Sequence, residues 1–160
     1  MKSNEFRTVR GYELLNQNKN QLTSAMEDYL EMIYRNIGQE GYMRINTLSE
    51  LLNVKPSSAT RMVQKLKELG LIRYEKYGII FLSEEGKEYG KFLLERHNVV
   101  EKFLKSLGIK ENLLTETELV EHNISKNTME RINKLNRILE AHPEIISEFE
   151  NFNSSTDERR

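Results

Sequence analysis

The most constraining feature of this chain is the order of patterns between Ser24 and Leu82. Two short apolar runs, Leu71–Tyr74 and Ile79–Leu82, flank the turn string Glu75-Lys-Tyr-Gly78 and read as a β-hairpin. Directly before them lies a helical pattern, with Ala59, Met62, Val63, Leu66 and Leu69 at spacings of three and four. Pro56, in the turn Lys55-Pro-Ser-Ser58, suits the start of that helix, and Gly70 suits its end. A shorter helix is expected over 44–53, with Ile45, Leu48, Leu51 and Leu52 facing inward. Ahead of it, Ser24-Ala-Met-Glu27 fits a capping box. The helix it opens runs to about Ile37, with Met26, Tyr29, Leu30, Ile33 and Ile37 on its apolar side and Gly38 and Gly41 at its exit. Helix, helix, turn, helix and hairpin within about sixty residues is the winged helix-turn-helix pattern.

The remainder reads as helical. Ser83 caps a long helix reaching about Leu107 and stopped by Gly108. Three shorter helices are expected near 111–123, 126–140 and 143–150, the last two separated by Pro143. The expected organisation is a flexible N-terminal arm over 1–21, a winged helix-turn-helix domain over 22–90, a helical domain over 91–150 and a polar tail over 151–160. The arm is polar but carries Phe6, Val9, Tyr12, Leu14 and Leu15, which could dock elsewhere.

Charge is distributed unevenly. The 160 residues carry a net charge of −1, yet residues 41–80 sum to +4 and the rest to −5. A basic module joined to an acidic one suits a nucleic-acid partner for the first. The chain has no cysteine, which excludes disulfides, thiolate metal sites and cysteine catalysis. No apolar run of signal-peptide or membrane-span length is present, so the expected location is the cytoplasm with no membrane partner.

In a winged helix-turn-helix the second helix of the pair enters the major groove N-terminus first. Its opening residues here, Ser57, Ser58 and Thr60, have short hydroxyls that can reach phosphates or base edges. Arg61, Gln64 and Lys65 reach further. Arginine can pair bidentately with guanine and glutamine with adenine. Lys76 and Tyr77, at the hairpin tip, would lie along the backbone or minor groove. The competing reading is a winged helix used only to bind protein.

The second half carries a different signal. In Glu118-Leu-Val-Glu121-His122, positions i, i+3 and i+4 share one helical face, so two carboxylates and an imidazole point to one spot. Such a cluster repels itself unless a cation fills it. Asp28, Glu31 and His97 are further donors of the same kind. Each has an ordinary explanation. His97 shares a face with Leu93, Val100 and Leu104, as a hydrogen-bonded core histidine would. Glu118 ends a second capping-box string, Thr115-Glu-Thr-Glu118. Asp28 lies near a helix start, where the dipole favours an acid. Together, four carboxylates and two imidazoles suit Mn²⁺ or Fe²⁺, and two divalent ions would balance the four acids. Magnesium would avoid the imidazoles.

The strings Met26-Glu-Asp-Tyr-Leu-Glu31, Pro56-Ser-Ser-Ala-Thr-Arg-Met-Val-Gln-Lys-Leu66, Tyr74-Glu-Lys-Tyr77, Glu95-Arg-His97 and Glu118-Leu-Val-Glu-His122 occur in one order over about Thr23–Phe149. In them the chain resembles the diphtheria-toxin-repressor family of metal-dependent transcriptional repressors. The resemblance implies a mainly α protein, an N-terminal winged helix-turn-helix followed by a C-terminal helical metal-binding and dimerisation domain. It also implies operator DNA and a second copy of the chain as partners, no small-molecule substrate, and Asp28, Glu31, His97, Glu118, Glu121 and His122 as ligands of a binuclear site. The iron-sensing branch typically has Met and Cys where this chain has Asp28 and Glu118. Oxygen donors at those positions favour Mn²⁺, with Fe²⁺ the alternative ion. Nothing here corresponds to the SH3-like third domain of longer members, and Asn123 stands where a second histidine commonly follows. A winged-helix regulator sensing a non-metal ligand is the remaining alternative. An enzyme is not expected, because no histidine has Glu three residues before it, those positions being Leu94, Leu119 and Leu139.

Overall fold

The computed structural model describes residues 22–157, with side chains as far as Phe152, so the N-terminal arm expected over 1–21 lies outside the described residues. The chain divides into two compact units with the boundary between Leu94 and Glu95.

In the first unit, α1 spans Ser24–Asn36, β1 Met43–Arg44, α2 Ile45–Leu51 and α3 Pro56–Glu68. The hairpin follows as β2, Ile72–Glu75, a 3₁₀ turn over Lys76–Gly78, and β3, Ile79–Leu82. Helix α1 is capped one residue earlier than the capping-box string suggests. Thr23, extended at φ −90° and ψ 161°, accepts from the Met26 amide through its hydroxyl at 3.3 Å. Thr23 and Ser24 are both competent caps, and the sequence did not separate them. Pro56 occupies the first turn of α3, where its missing N–H costs nothing. The turn between α2 and α3 passes through Asn53 at φ 51°.

The sheet has three strands in the order β1-β3-β2, all antiparallel. Tyr74 lies opposite Ile80, and Glu75 opposite Ile79. Strand β1 was not expected from sequence. It is two residues long, Met43 pairing with Ile80 and Arg44 with Ile79, too short for any periodicity to show. The core gathers Leu30 and Ile33 from α1, Leu48 from α2, Ala59, Val63 and Leu66 from α3, Ile80 from β3 and Tyr89 and Leu93 beyond it, all fully buried. Each large apolar side chain buried this way is worth about 1.5–3 kcal/mol.

Helix α4, Glu84–Ser106, begins in the first unit and ends in the second. Ser83 caps it as expected, its hydroxyl accepting from the Gly86 amide at 3.0 Å. In the second unit α5 spans Leu113–Glu121, α6 Lys126–Ala141 and α7 Pro143–Asp157. Ser125 caps α6, accepting from the Thr128 amide at 3.2 Å. Asn136 of α6, buried, donates to the Val99 carbonyl of α4 at 2.9 Å. Helix α7 continues past the expected end near residue 150 as far as Asp157. No proline or glycine follows Pro143 to stop it.

Two glycines of α4 are required by packing. A Cβ on Gly86 would lie 1.9 Å from the Leu71 carbonyl oxygen, and one on Gly90 would lie 2.6 Å from Tyr34 Cβ. Neither residue stood out in the sequence, because a glycine inside a helical pattern shows no reason for its presence. Gly86→Ala is expected to destabilise the protein by about 2 kcal/mol or more, through overpacking against fixed backbone, despite alanine's better helix propensity. Urea unfolding followed by circular dichroism measures this.

Candidate metal and DNA sites

On α3 the side chains sort cleanly by face. Ala59, Val63 and Leu66 are buried, while Ser57, Ser58, Arg61, Gln64 and Lys65 are exposed and Thr60 is half-buried. The exposed residues form one stripe along the helix at spacings of three and four. The Thr60 hydroxyl donates to the Pro56 carbonyl at 2.9 Å. At the hairpin tip Lys76 is exposed and Tyr77 is 90% exposed, held at φ 63°. That turn is tight: Gly78, at φ 72°, sits where a Cβ would meet Ile45 Cγ2 at 2.5 Å. Arg73, part of the basic count, is used within the hairpin. It stacks 5.0 Å from the Phe81 ring centre and reaches Glu75 at 3.9 Å.

On α1, Asp28 and Glu31 are one turn apart on a common face, Asp28 half-buried and Glu31 buried. Glu31 accepts from Arg35 at 3.2 Å across one turn. Between them, burial raises the Tyr29 phenol above its ordinary pKa of 10.0, so it adds no charge beside the two acids.

In the second unit His97 and His122 flank Glu121, which is 1% exposed. His97 Nδ1 lies 3.1 Å from one carboxylate oxygen, and His122 Nε2 lies 3.9 Å from the other. His97 is itself buried, on the same helical face as the fully buried Leu93 and Val100. A carboxylate with a histidine at each oxygen is a polar cluster inside an apolar shell, and its burial is favourable only with compensating charge or hydrogen bonds. Arg96, also buried, places Nη2 3.2 Å from His122 Nδ1. An arginine can only donate, so at that contact the ring nitrogen accepts. Glu118 is exposed on α5, one turn before Glu121. The helix starts at Leu113 after Asn112 in the left-handed region, so Thr115-Glu-Thr-Glu118 lies inside the helix and does not cap it. The capping explanation for Glu118 is thereby removed.

The donor chemistry fits a hard to borderline divalent cation. These residues offer carboxylate oxygens and imidazole nitrogens, and the chain has no thiol to select a softer ion. Sequence reasoning singled out His97, Glu121 and His122 but not Arg96, although Arg96 stands inside the quoted string Glu95-Arg-His97.

Comparison with known proteins decides the family. The profile described as iron dependent repressor, N-terminal DNA binding domain, matches residues 21–80. The one described as iron dependent repressor, metal binding and dimerisation domain, matches residues 83–150. The chain belongs to the iron-dependent repressor family. Among its relatives, the HTH-type transcriptional regulator MntR of Lysinibacillus sphaericus (strain C3-41) is 40% identical over 129 residues, 80% of this chain and 93% of its own length. MntR of Bacillus subtilis (strain 168) is 43% identical over 114 residues, 71% of this chain and 80% of its own. Among solved structures, the manganese regulator SloR matches with TM-score 0.62 and 27% identity, and ScaR with bound Zn²⁺ with 0.57 and 29%. Each match covers 69% of this chain and 52% of the other, so the chain spans about half the length of those two. As a member of this family the chain is a metal-dependent, DNA-binding transcriptional regulator and not an enzyme. Among the described residues no helix is long and apolar enough to cross a membrane.

The buried contact carries a stability prediction for this family member. His97→Ala removes the Nδ1 partner of a buried carboxylate and should lower the stability of chelator-treated protein by about 1–3 kcal/mol. Glu121→Gln keeps an acceptor oxygen and should cost less. Thermal unfolding of the two variants side by side measures the difference.

Proposed function

We propose that this chain is a cytoplasmic, manganese-responsive repressor that acts as a homodimer on operator DNA. The observation that carries this reading is Glu121 buried between His97 and His122, within the segment that matches the family's metal-binding domain. Asp28, Glu31, His97, Glu118, Glu121 and His122 would hold the metal, two ions per subunit, with Fe²⁺ as the alternative. A divalent cation would supply the positive charge that lets four carboxylates share one coordination shell. Manganese is favoured over iron by the oxygen donors at Asp28 and Glu118, and the solved relatives SloR and ScaR are described as manganese regulators.

The mechanism follows from where the donors lie in the chain. Asp28 and Glu31 belong to the helix that precedes the helix-turn-helix. His97 belongs to α4, Glu118 and Glu121 to α5, and His122 follows α5 directly. Without positive charge the two groups of acids repel one another. Once that repulsion is discharged, the winged helix-turn-helix domain, residues 22–90, is tied to the helical domain, residues 91–150. Two α3 helices in a dimer are then held for half-sites one turn apart, about 34 Å. Ser57, Ser58, Thr60, Arg61, Gln64 and Lys65 would face the major groove, with Lys76 and Tyr77 along the backbone. A coupling of about 1–3 kcal/mol between metal and DNA is the usual size for such linkage. The regulated genes would be those of metal uptake.

Fluorescence anisotropy with an operator-like duplex at fixed salt tests the reading. Mn²⁺ should tighten binding by about 5- to 150-fold over chelator. Equal affinity in the two conditions would overturn it. On the DNA face, Arg61→Ala should cost about 1–3 kcal/mol and relax the preference at one base pair. Lys76→Ala should weaken binding to all sequences alike and reduce the slope of log affinity against log salt by about 1.

A further inference from the structure

The Tyr89 hydroxyl donates to Glu27 Oε1 at 3.0 Å, joining α4 to α1 across 62 residues of sequence. Tyr89 is fully buried and Glu27 nearly so. The helix stripe on which Glu27 lies makes this contact more than a core hydrogen bond. Glu27, Glu31 and Tyr34 occupy positions i, i+4 and i+7 of α1, so they share one face. Tyr34 meets α4 one residue beyond Tyr89, where a Cβ on Gly90 would lie 2.6 Å from Tyr34 Cβ. The two contacts with α4 therefore bracket Glu31, one a turn before it and one a turn after.

We propose that Tyr89 is a positioning residue for metal binding, acting through Glu27 to fix where α1 presents Glu31 and the adjoining Asp28. This inference rests on the manganese reading above. Two features of the α1–α4 seam suit the task. Gly90 lets the helices approach closely, which sets their separation. The hydroxyl of Tyr89 donates to Glu27 on one turn of α1, which sets their register, because a slip of one residue would carry Glu27 about 100° around the helix. Helix α4 then continues to His97, eight residues further along the chain. A helix held in register delivers its donors without an ordering cost at the moment of binding, and preorganisation of that kind appears as affinity.

The test compares wild type with Tyr89→Phe and Ile80→Val by the loss of the free Mn²⁺ six-line signal in electron paramagnetic resonance. Tyr89→Phe keeps the ring and its stacking on Phe92, 6.1 Å between centres, and removes only the hydroxyl. Ile80→Val removes buried volume from β3, an element other than the two helices of the seam. Thermal unfolding of the chelator-treated proteins runs beside the titrations. Tyr89→Phe should raise the Mn²⁺ midpoint by about threefold or more, in a protein that still unfolds cooperatively, while Ile80→Val leaves the midpoint in place. An unchanged midpoint in Tyr89→Phe would overturn the inference, as would an equal shift in Ile80→Val, or a Tyr89→Phe chain that does not fold. Wild type that leaves the Mn²⁺ signal intact would instead remove the manganese reading itself.

Discussion

The close approach of neighbouring groups to the backbone of α4, at Gly86 and Gly90, is the constraint on which the first unit depends. Gly86 lies beneath the Leu71 carbonyl, at the point where the chain leaves α3 and enters the hairpin. Gly90 lies against Tyr34 of α1. The same helix thus meets backbone at the base of the hairpin and the Tyr34 side chain of the helix that precedes the DNA-binding pair. The Ser83 amide donates to the Leu71 carbonyl at 3.0 Å, closing the hairpin onto the start of α4. Close-packed interiors transmit displacement because they have no slack to absorb it. A helix seated this tightly holds the hairpin and α1 in a fixed relation within the first unit.

Much of this architecture was legible in the sequence. Periodicity placed α3, and Pro56 and Gly70 fixed its ends. The string Glu75-Lys-Tyr-Gly78 placed the hairpin turn, which the structure forms with Tyr77 and Gly78 at positive φ. The features that could not be read arise from tertiary contact. Strand β1 exists only because Met43 and Arg44 pair with β3, and no two-residue pattern announces that. The Thr23 cap won over Ser24 by backbone conformation that residue type does not determine. Gly86 and Gly90 are ordinary residues until their neighbours are known.

The candidate site divides along the same line. The spacing of Glu118, Glu121 and His122 showed a shared face, and His97 stood out as a histidine on an apolar stripe. That His97 and Glu121 lie 3.1 Å apart in the folded unit could not come from spacing, because 24 residues and a loop separate them. Arg96 was hidden for a different reason. Arginine cannot ligate a cation, so a search for ligands passes over it, yet its contact with His122 sets which ring nitrogen accepts. Tyr89 left no signal at all, since a tyrosine at a core-facing helical position is an ordinary apolar residue until its hydroxyl finds an acid.

The choice of donors also bears on why the site suits regulation. Carboxylates repel one another when close, and the energy of that repulsion is largest where burial lowers the dielectric, as at Glu121. Thiolate or thioether donors would hold a softer ion tightly. An oxygen-rich set binds manganese less tightly than later transition metals by intrinsic order, so occupancy follows the concentration of available metal. Asn123 follows His122, the C-cap of α5, and adds no second imidazole to these donors.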